Sequence, residues 1–100
     1  MPNVEIYTTP FCPYCHRAKS LLTKKGVAFV EHDVMMNASL RKKMASMAGG
    51  SRSVPQIFVD GEHIGDCDGI HALDAKGALD FLLGIFGIDL AKDDGKSRTR

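Results

Sequence analysis

One hundred residues with 13 Lys and Arg, 12 Asp and Glu and 44% apolar side chains suffice for one small domain around one core and leave little room for a second. A net charge of +1 gives no broad field, so neither nucleic acid nor an anionic membrane is expected as the main partner. The opening Met1-Pro2-Asn3-Val4-Glu5 has no basic stretch leading into an apolar one, and no apolar run reaches the length of a membrane span, so a soluble, cytoplasmic chain is expected.

Val4, Glu5, Ile6 and Tyr7 read as a strand, and the next four residues as the loop that delivers Cys12. Cys12-Pro13-Tyr14-Cys15 then opens a helix over 13–25, in which Ala18, Leu21 and Leu22 share a face and Gly26 is the stop. Two cysteines at a helix start place the first sulfur over unpaired N–H groups and the positive end of the helix dipole, both of which favour thiolate over thiol. The second lies one turn further in, shielded but within reach for a disulfide. Pro13 fits the first helical position, where no N–H is needed. The same residues with His16 match a c-type haem attachment pattern, but the export signal and helical context that pattern needs are missing.

Residues 27–30 read as a second strand, buried and parallel to the first because a helix crosses over between them. Asn37 is the N-cap of a second helix running to about Ala48, with Leu40, Met44 and Met47 as its core face and Gly49-Gly50 as its break. Residues 56–59 and 62–64 flank Asp60-Gly61 and read as a hairpin. A third helix is expected after Asp68, which caps it, using Leu73, Leu79, Phe81, Leu82 and Leu83 and interrupted at Gly77. The polar stretch 89–100 reads as a disordered tail behind a domain over 1–88. A βαβ unit followed by a ββα unit gives an α/β fold, a four-stranded mixed sheet flanked by helices.

Cysteine number adds a compartment argument. Three is odd, and a reducing environment would keep Cys12 and Cys15 as working thiols rather than a permanent staple. Cys67 is then either a small buried residue or the site of a secondary mixed disulfide. A zinc site from Cys12, Cys15 and two of His16, His63, Cys67 and His71 lacks a second closely spaced ligand pair.

Four features in order, Cys12-Pro13-Tyr14-Cys15, Ser53-Val54-Pro55, the 58–64 hairpin and Gly65-Asp66-Cys67-Asp68-Gly69, resemble the bacterial dithiol glutaredoxins of the thioredoxin-like superfamily over residues 3–86. The resemblance implies a glutathione-dependent thiol–disulfide oxidoreductase, a monomer with no metal. Its nucleophile would be Cys12, with Cys15 resolving through a Cys12–Cys15 disulfide. Clients would be glutathionylated or disulfide-containing proteins, ribonucleotide reductase among them. It also implies a cis Val54–Pro55 bond, and glutathione held by Tyr14, Val54, Pro55, Cys67 and Asp68. From the residues alone, Pro55 reads as the start of an edge strand.

Two departures from the family pattern stand out. Asp66 takes the place of a glycine and Gly69 that of an aspartate, and Thr9 stands where many members have a lysine, with Arg41 or Arg52 as stand-ins for its charge. Two other readings share the fold. One is a dimer binding an iron–sulfur cluster through Cys12 and glutathione, whose members usually differ at Pro13 and Tyr14. The other is an electron donor reduced by thioredoxin reductase, against which Tyr14 and Asp68 argue.

Overall fold

Strand β1 (Val4–Thr8) is almost wholly buried because it pairs on both edges. The sheet order is β2-β1-β3-β4, with β2 (Val30–Asp33) parallel to β1, and β3 (Gln56–Val59) and β4 (Glu62–Gly65) completing it by antiparallel pairing. Helices α1 (Pro13–Lys24), α2 (Ala38–Met47), α3 (Cys67–Ala75) and α4 (Ala78–Leu82) fill the intervals. This computed structural model describes residues 2–84, so the expected boundary at 88 and the 89–100 tail lie outside the described residues. The mixed four-stranded sheet is the expected one. Among the described residues no helix is long and apolar enough to cross a membrane.

Strand alternation divides the core in two. Val4, Ile6, Ile57 and Val59 face α1, α3 and α4, where Ala18, Leu22, Ile70 and Leu79 are buried. Tyr7 and Phe58 face the other way and meet Val34, Met44 and Ala48 under α2. Tyr7 packs edge-on against Phe58, ring centroids 5.4 Å apart.

The local signals for turns and caps hold. Asn37 accepts the Leu40 N–H at 3.0 Å, and Asp60 (φ 52°) and Gly61 (φ 83°) form the two-residue hairpin turn. Helix α1 stops at Gly26 as expected, where the N–H groups of Gly26 and Val27 return to Thr23 and Leu22.

That stop corrects the second strand, expected over 27–30 as a buried one. The Val27 amide is spent on ending α1, so the ladder opens only at Val30, opposite Glu5, and β2 is a largely exposed edge. Val27 and Phe29 still pack on the helix-side core, which is why they resemble a strand in sequence. Met47 is a second correction: it is 37% exposed, because the buried face of α2 follows Leu40, Met44 and Ala48, spaced by four, and Met47 falls beside it.

Lys25, just past α1, binds α3 and α4 together. Its Nζ lies 2.6 Å from Asp74 Oδ1 and 2.7 Å from Asp80 Oδ1. Asp74 first, then Asp80, holds the ammonium above the usual lysine range. A raised lysine contributes stability in full below its ordinary value and loses it as pH climbs through the raised one. Lys25→Met is therefore expected to lower the unfolding free energy by about 1 kcal/mol in urea melts at neutral pH and low salt. The deficit should shrink in strong salt and disappear in strongly alkaline solution; a deficit unmoved by both would mean that the aliphatic stem, not the charge, matters.

Candidate active site

The redox pair sits where β1 hands the chain to α1. Cys12 is the N-cap residue, with extended φ and ψ of −104° and 114°, and its Sγ accepts the Cys15 N–H at 3.4 Å. Sulfur thus takes the role that a hydroxyl or carboxylate oxygen usually plays at this position. Pro13 follows at the first helical position, as expected. Cys15, one turn along, is fully buried at 0% exposure, while Cys12 is half-buried. Burial pushes the Cys15 thiol up to about 12, and the adjoining Cys12 sulfur adds to the push; a backbone hydrogen bond from Thr9 and the Lys19 charge oppose it.

On the other side of Cys12 lies the Val54 carbonyl, which accepts from Sγ at 3.8 Å. The Val54–Pro55 peptide is cis, so Pro55 does more than open an edge strand; β3 is an inner strand. Beside this pair runs a groove of about 300 Å3. Tyr14 contributes from α1, Ser53, Val54 and Pro55 from the loop before β3, and Asp66, Cys67 and Asp68 from the start of α3. Tyr14 is 53% exposed, with the Arg17 guanidinium 5.9 Å from its ring centroid.

Five of the residues singled out in the sequence for glutathione, Tyr14, Val54, Pro55, Cys67 and Asp68, therefore share one groove. Thr9, Arg41 and Arg52 are not among its lining residues. Arg41 turns instead to the loop, its Nε donating to the Arg52 carbonyl at 3.0 Å. Cys67 is buried, which pushes its thiol up against the opposing Arg17 charge. His71 Nδ1 lies 2.8 Å from the Cys67 carbonyl oxygen and 3.7 Å from its Sγ.

The start of α3 needs a correction. The helix begins at Cys67, and its cap is Asp66 rather than Asp68: Asp66 Oδ1 accepts the Gly69 N–H at 2.8 Å. Asp68 is left in the first turn, exposed at the groove. The two unusual residues of this turn are thereby linked. A Cβ at position 69 would lie 3.1 Å from Asp66 Oδ1, so the glycine spares the capping carboxylate a shift of a few tenths of an ångström. Gly65 is needed, at φ 147° and with a hypothetical Cβ 3.3 Å from the Gly69 Cα, because β4 passes close over the helix start.

Gln56 was not singled out by the sequence. It is buried, its Nε2 lies 3.0 Å from the Ser53 carbonyl and 3.2 Å from both the Ser51 and Ser53 hydroxyls, and its Oε1 accepts from His63 Nε2 at 2.6 Å. It braces the loop that carries Val54. The signal was an amide inside an otherwise apolar strand, since buried amides require partners. His16 likewise donates to the Pro10 carbonyl at 3.2 Å. Among the described residues no three His, Cys, Asp or Glu side chains form a group suited to a metal ion.

Comparison with known proteins agrees with this geometry. The glutaredoxin family model matches residues 4–64. Glutaredoxin 3 of Escherichia coli strain K12 is 57% identical over 83 residues, covering 83% of this chain and 99% of that protein. A Pseudomonas aeruginosa glutaredoxin is 52% identical over 83 residues, covering 83% of this chain and 98% of the relative. The solution structure of a Brucella melitensis glutaredoxin superposes with a TM-score of 0.75 at 46% identity, covering 85% and 91% of the two chains. With its thioredoxin-like fold, the protein is a thiol–disulfide oxidoreductase. More narrowly, the chain belongs to the glutaredoxin family.

The capping assignment is open to measurement. Asp66→Ala is expected to lower the unfolding free energy by about 1 kcal/mol in urea denaturation. Asp68→Ala should cost about 0.5 kcal/mol or less, through the helix dipole alone. The reverse order would return the cap to Asp68.

Proposed function

We propose that this protein uses glutathione to reduce protein–glutathione mixed disulfides and protein disulfides, with Cys12 as nucleophile and Cys15 as resolving thiol. The observation that carries the reading is the asymmetry of the two sulfurs. Cys12 is half-buried beside a groove and receives the Cys15 N–H, whereas Cys15 is sealed and its thiol is pushed up to about 12. An attacking sulfur needs access and thiolate character; a resolving one needs only its neighbour.

Against a glutathionylated protein, the Cys12 thiolate attacks the glutathione sulfur, a Cys12–glutathione disulfide forms, and the protein leaves as a thiolate. A second glutathione thiolate attacks the glutathione sulfur of that disulfide, releases Cys12 and departs as glutathione disulfide. Against a protein disulfide, Cys12 forms a mixed disulfide with one client sulfur and frees the other. Cys15 then loses its proton, attacks the Cys12 sulfur and expels the client, leaving a Cys12–Cys15 disulfide for two glutathiones to reduce.

The groove has the chemistry for the rest of glutathione. The Val54 backbone can pair with the cysteinyl unit in strand fashion. The first N–H groups of α3 have no acceptor within the helix and suit the γ-glutamyl carboxylate, while Asp68 suits its ammonium. Tyr14 gives the ligand an apolar wall. Clients are glutathionylated proteins and disulfide enzymes, with ribonucleotide reductase a candidate among them.

The test is reduction of a glutathionylated peptide, coupled to glutathione reductase. Cys12→Ser should lower the rate on the order of a thousandfold or more. Cys15→Ser should keep most of it, and absence of wild-type turnover would refute the reading. The dithiol branch should differ in its pH dependence. Because burial holds the Cys15 thiol above the ordinary cysteine range, the closure of the Cys12–Cys15 disulfide should keep accelerating as pH rises from 7 to 9, followed by stopped flow on a protein disulfide. A plateau in that range would place the limiting step elsewhere.

A further inference from the structure

A second groove, of about 400 Å3, runs between α1 and α3, lined by Arg17, Ser20, Leu21 and Lys24 on one side and by His71 and Asp74 on the other. The α1 residues recur at three- and four-residue intervals and so form one stripe down the helix. It carries two cations. Asp74, the carboxylate across from them, shares Lys25 with Asp80, at 2.6 and 2.7 Å, and offsets at most one of the two cations. Among the described residues Lys24 makes no ion pair, and Arg17 meets the Tyr14 ring at 5.9 Å. The groove is thus left with excess positive charge on a chain of net +1.

Its upper end meets the active-site groove at two points. Arg17 sits over Tyr14, and His71 contacts Cys67, and Tyr14 and Cys67 both line the first groove. The two grooves are therefore neighbours, separated by these side-chain contacts.

We propose that the α1–α3 groove docks an acidic segment of the protein client whose disulfide reacts at Cys12, an inference that rests on the thiol–disulfide chemistry of Cys12. Helix rise sets the reach. Arg17 and Lys24 lie five and twelve residues beyond Cys12, about 7.5 and 18 Å along the axis. An extended client covers about 3.3 Å per residue, so its carboxylates belong about two to six residues from its reacting cysteine. Such charges steer encounter and fix the direction of the client, and their effect falls with salt.

The test is single-turnover release of peptide thiol by the reduced, full-length protein. Peptides with one glutathionylated cysteine carry Glu, Gln or Lys at the two to six positions on either side of it. The Glu peptide is expected to react about tenfold faster than the Lys peptide at low salt, and within about twofold of it in strong salt. Lys24→Glu and, independently, Ser20→Glu should bring that ratio to about one or below. A wild-type ratio within twofold at low salt, or a preference that survives both substitutions, overturns the docking groove. The mixed disulfide of glutathione and 2-mercaptoethanol, run alongside, reads the glutathione assignment alone. Were it inert, the same peptides capped with 2-mercaptoethanol would still report on the groove.

Discussion

The start of helix α1 is the constraint around which this fold is arranged. A helix leaves its first N–H groups without acceptors, and here the nearest acceptor is the Cys12 sulfur, 3.4 Å from the Cys15 amide. Pro13 removes one of the unsatisfied donors outright. The cap must also stay put, and it does because β1, the strand that feeds it, is paired on both edges and buried on both faces. A change in how β1 packs would therefore be felt at the sulfur, a few residues downstream.

The opposite side of Cys12 comes from a part of the chain over forty residues away, and polar contacts hold it as well as the packing of Val54 on the Tyr7–Phe58 core. Val54 belongs to a loop whose carbonyls and hydroxyls are gathered by Gln56, itself oriented by His63, while Arg41 holds the Arg52 carbonyl from α2. A buried amide such as Gln56 is costly unless its partners are in place, so the network favours one loop conformation over alternatives in which those bonds are lost. The sheet fixes β1 and β3 as neighbours, and the polar brace then sets the loop that brings the Val54 carbonyl within 3.8 Å of the sulfur.

Much of this was legible in the sequence, because the informative signals are local. Asn37, Gly26 and Asp60-Gly61 act through backbone geometry within a few residues, and each did what its chemistry dictates. The dithiol was legible for the same reason, a strand followed by two cysteines and a proline at a helix start. What could not be read depends on partners distant in sequence. Whether 27–30 or 30–33 enters the ladder is decided by register against β1, and pattern alone favoured the more apolar segment. Met47 and Ala48 are adjacent in sequence, and only the seat of α2 on the sheet tells which is buried. Gln56 looked like an ordinary strand residue until Ser51, Ser53 and His63 closed around it. The turn 65–69 shows a middle case. Its departures were visible as isolated residues, but their coupling, a carboxylate reaching over a glycine, needed the distance between them.

That coupling bears on how charge is distributed around the redox pair. With Asp66 turned onto the Gly69 amide, part of the helix-start potential of α3 is neutralised internally. Asp68 stays exposed at the groove, so this end presents a carboxylate beside the remaining first-turn amides, a combination suited to a group carrying both an anion and an ammonium. At the other side of Tyr14 the sign changes, with Arg17 and Lys24 along α1 and the nearby acid of α3 already held by Lys25. The two grooves thus meet around an aromatic ring with opposite electrostatic character. An ammonium-bearing end of a ligand and an acidic polypeptide would each meet opposite charge, on different sides of the same sulfur, with no moving part required.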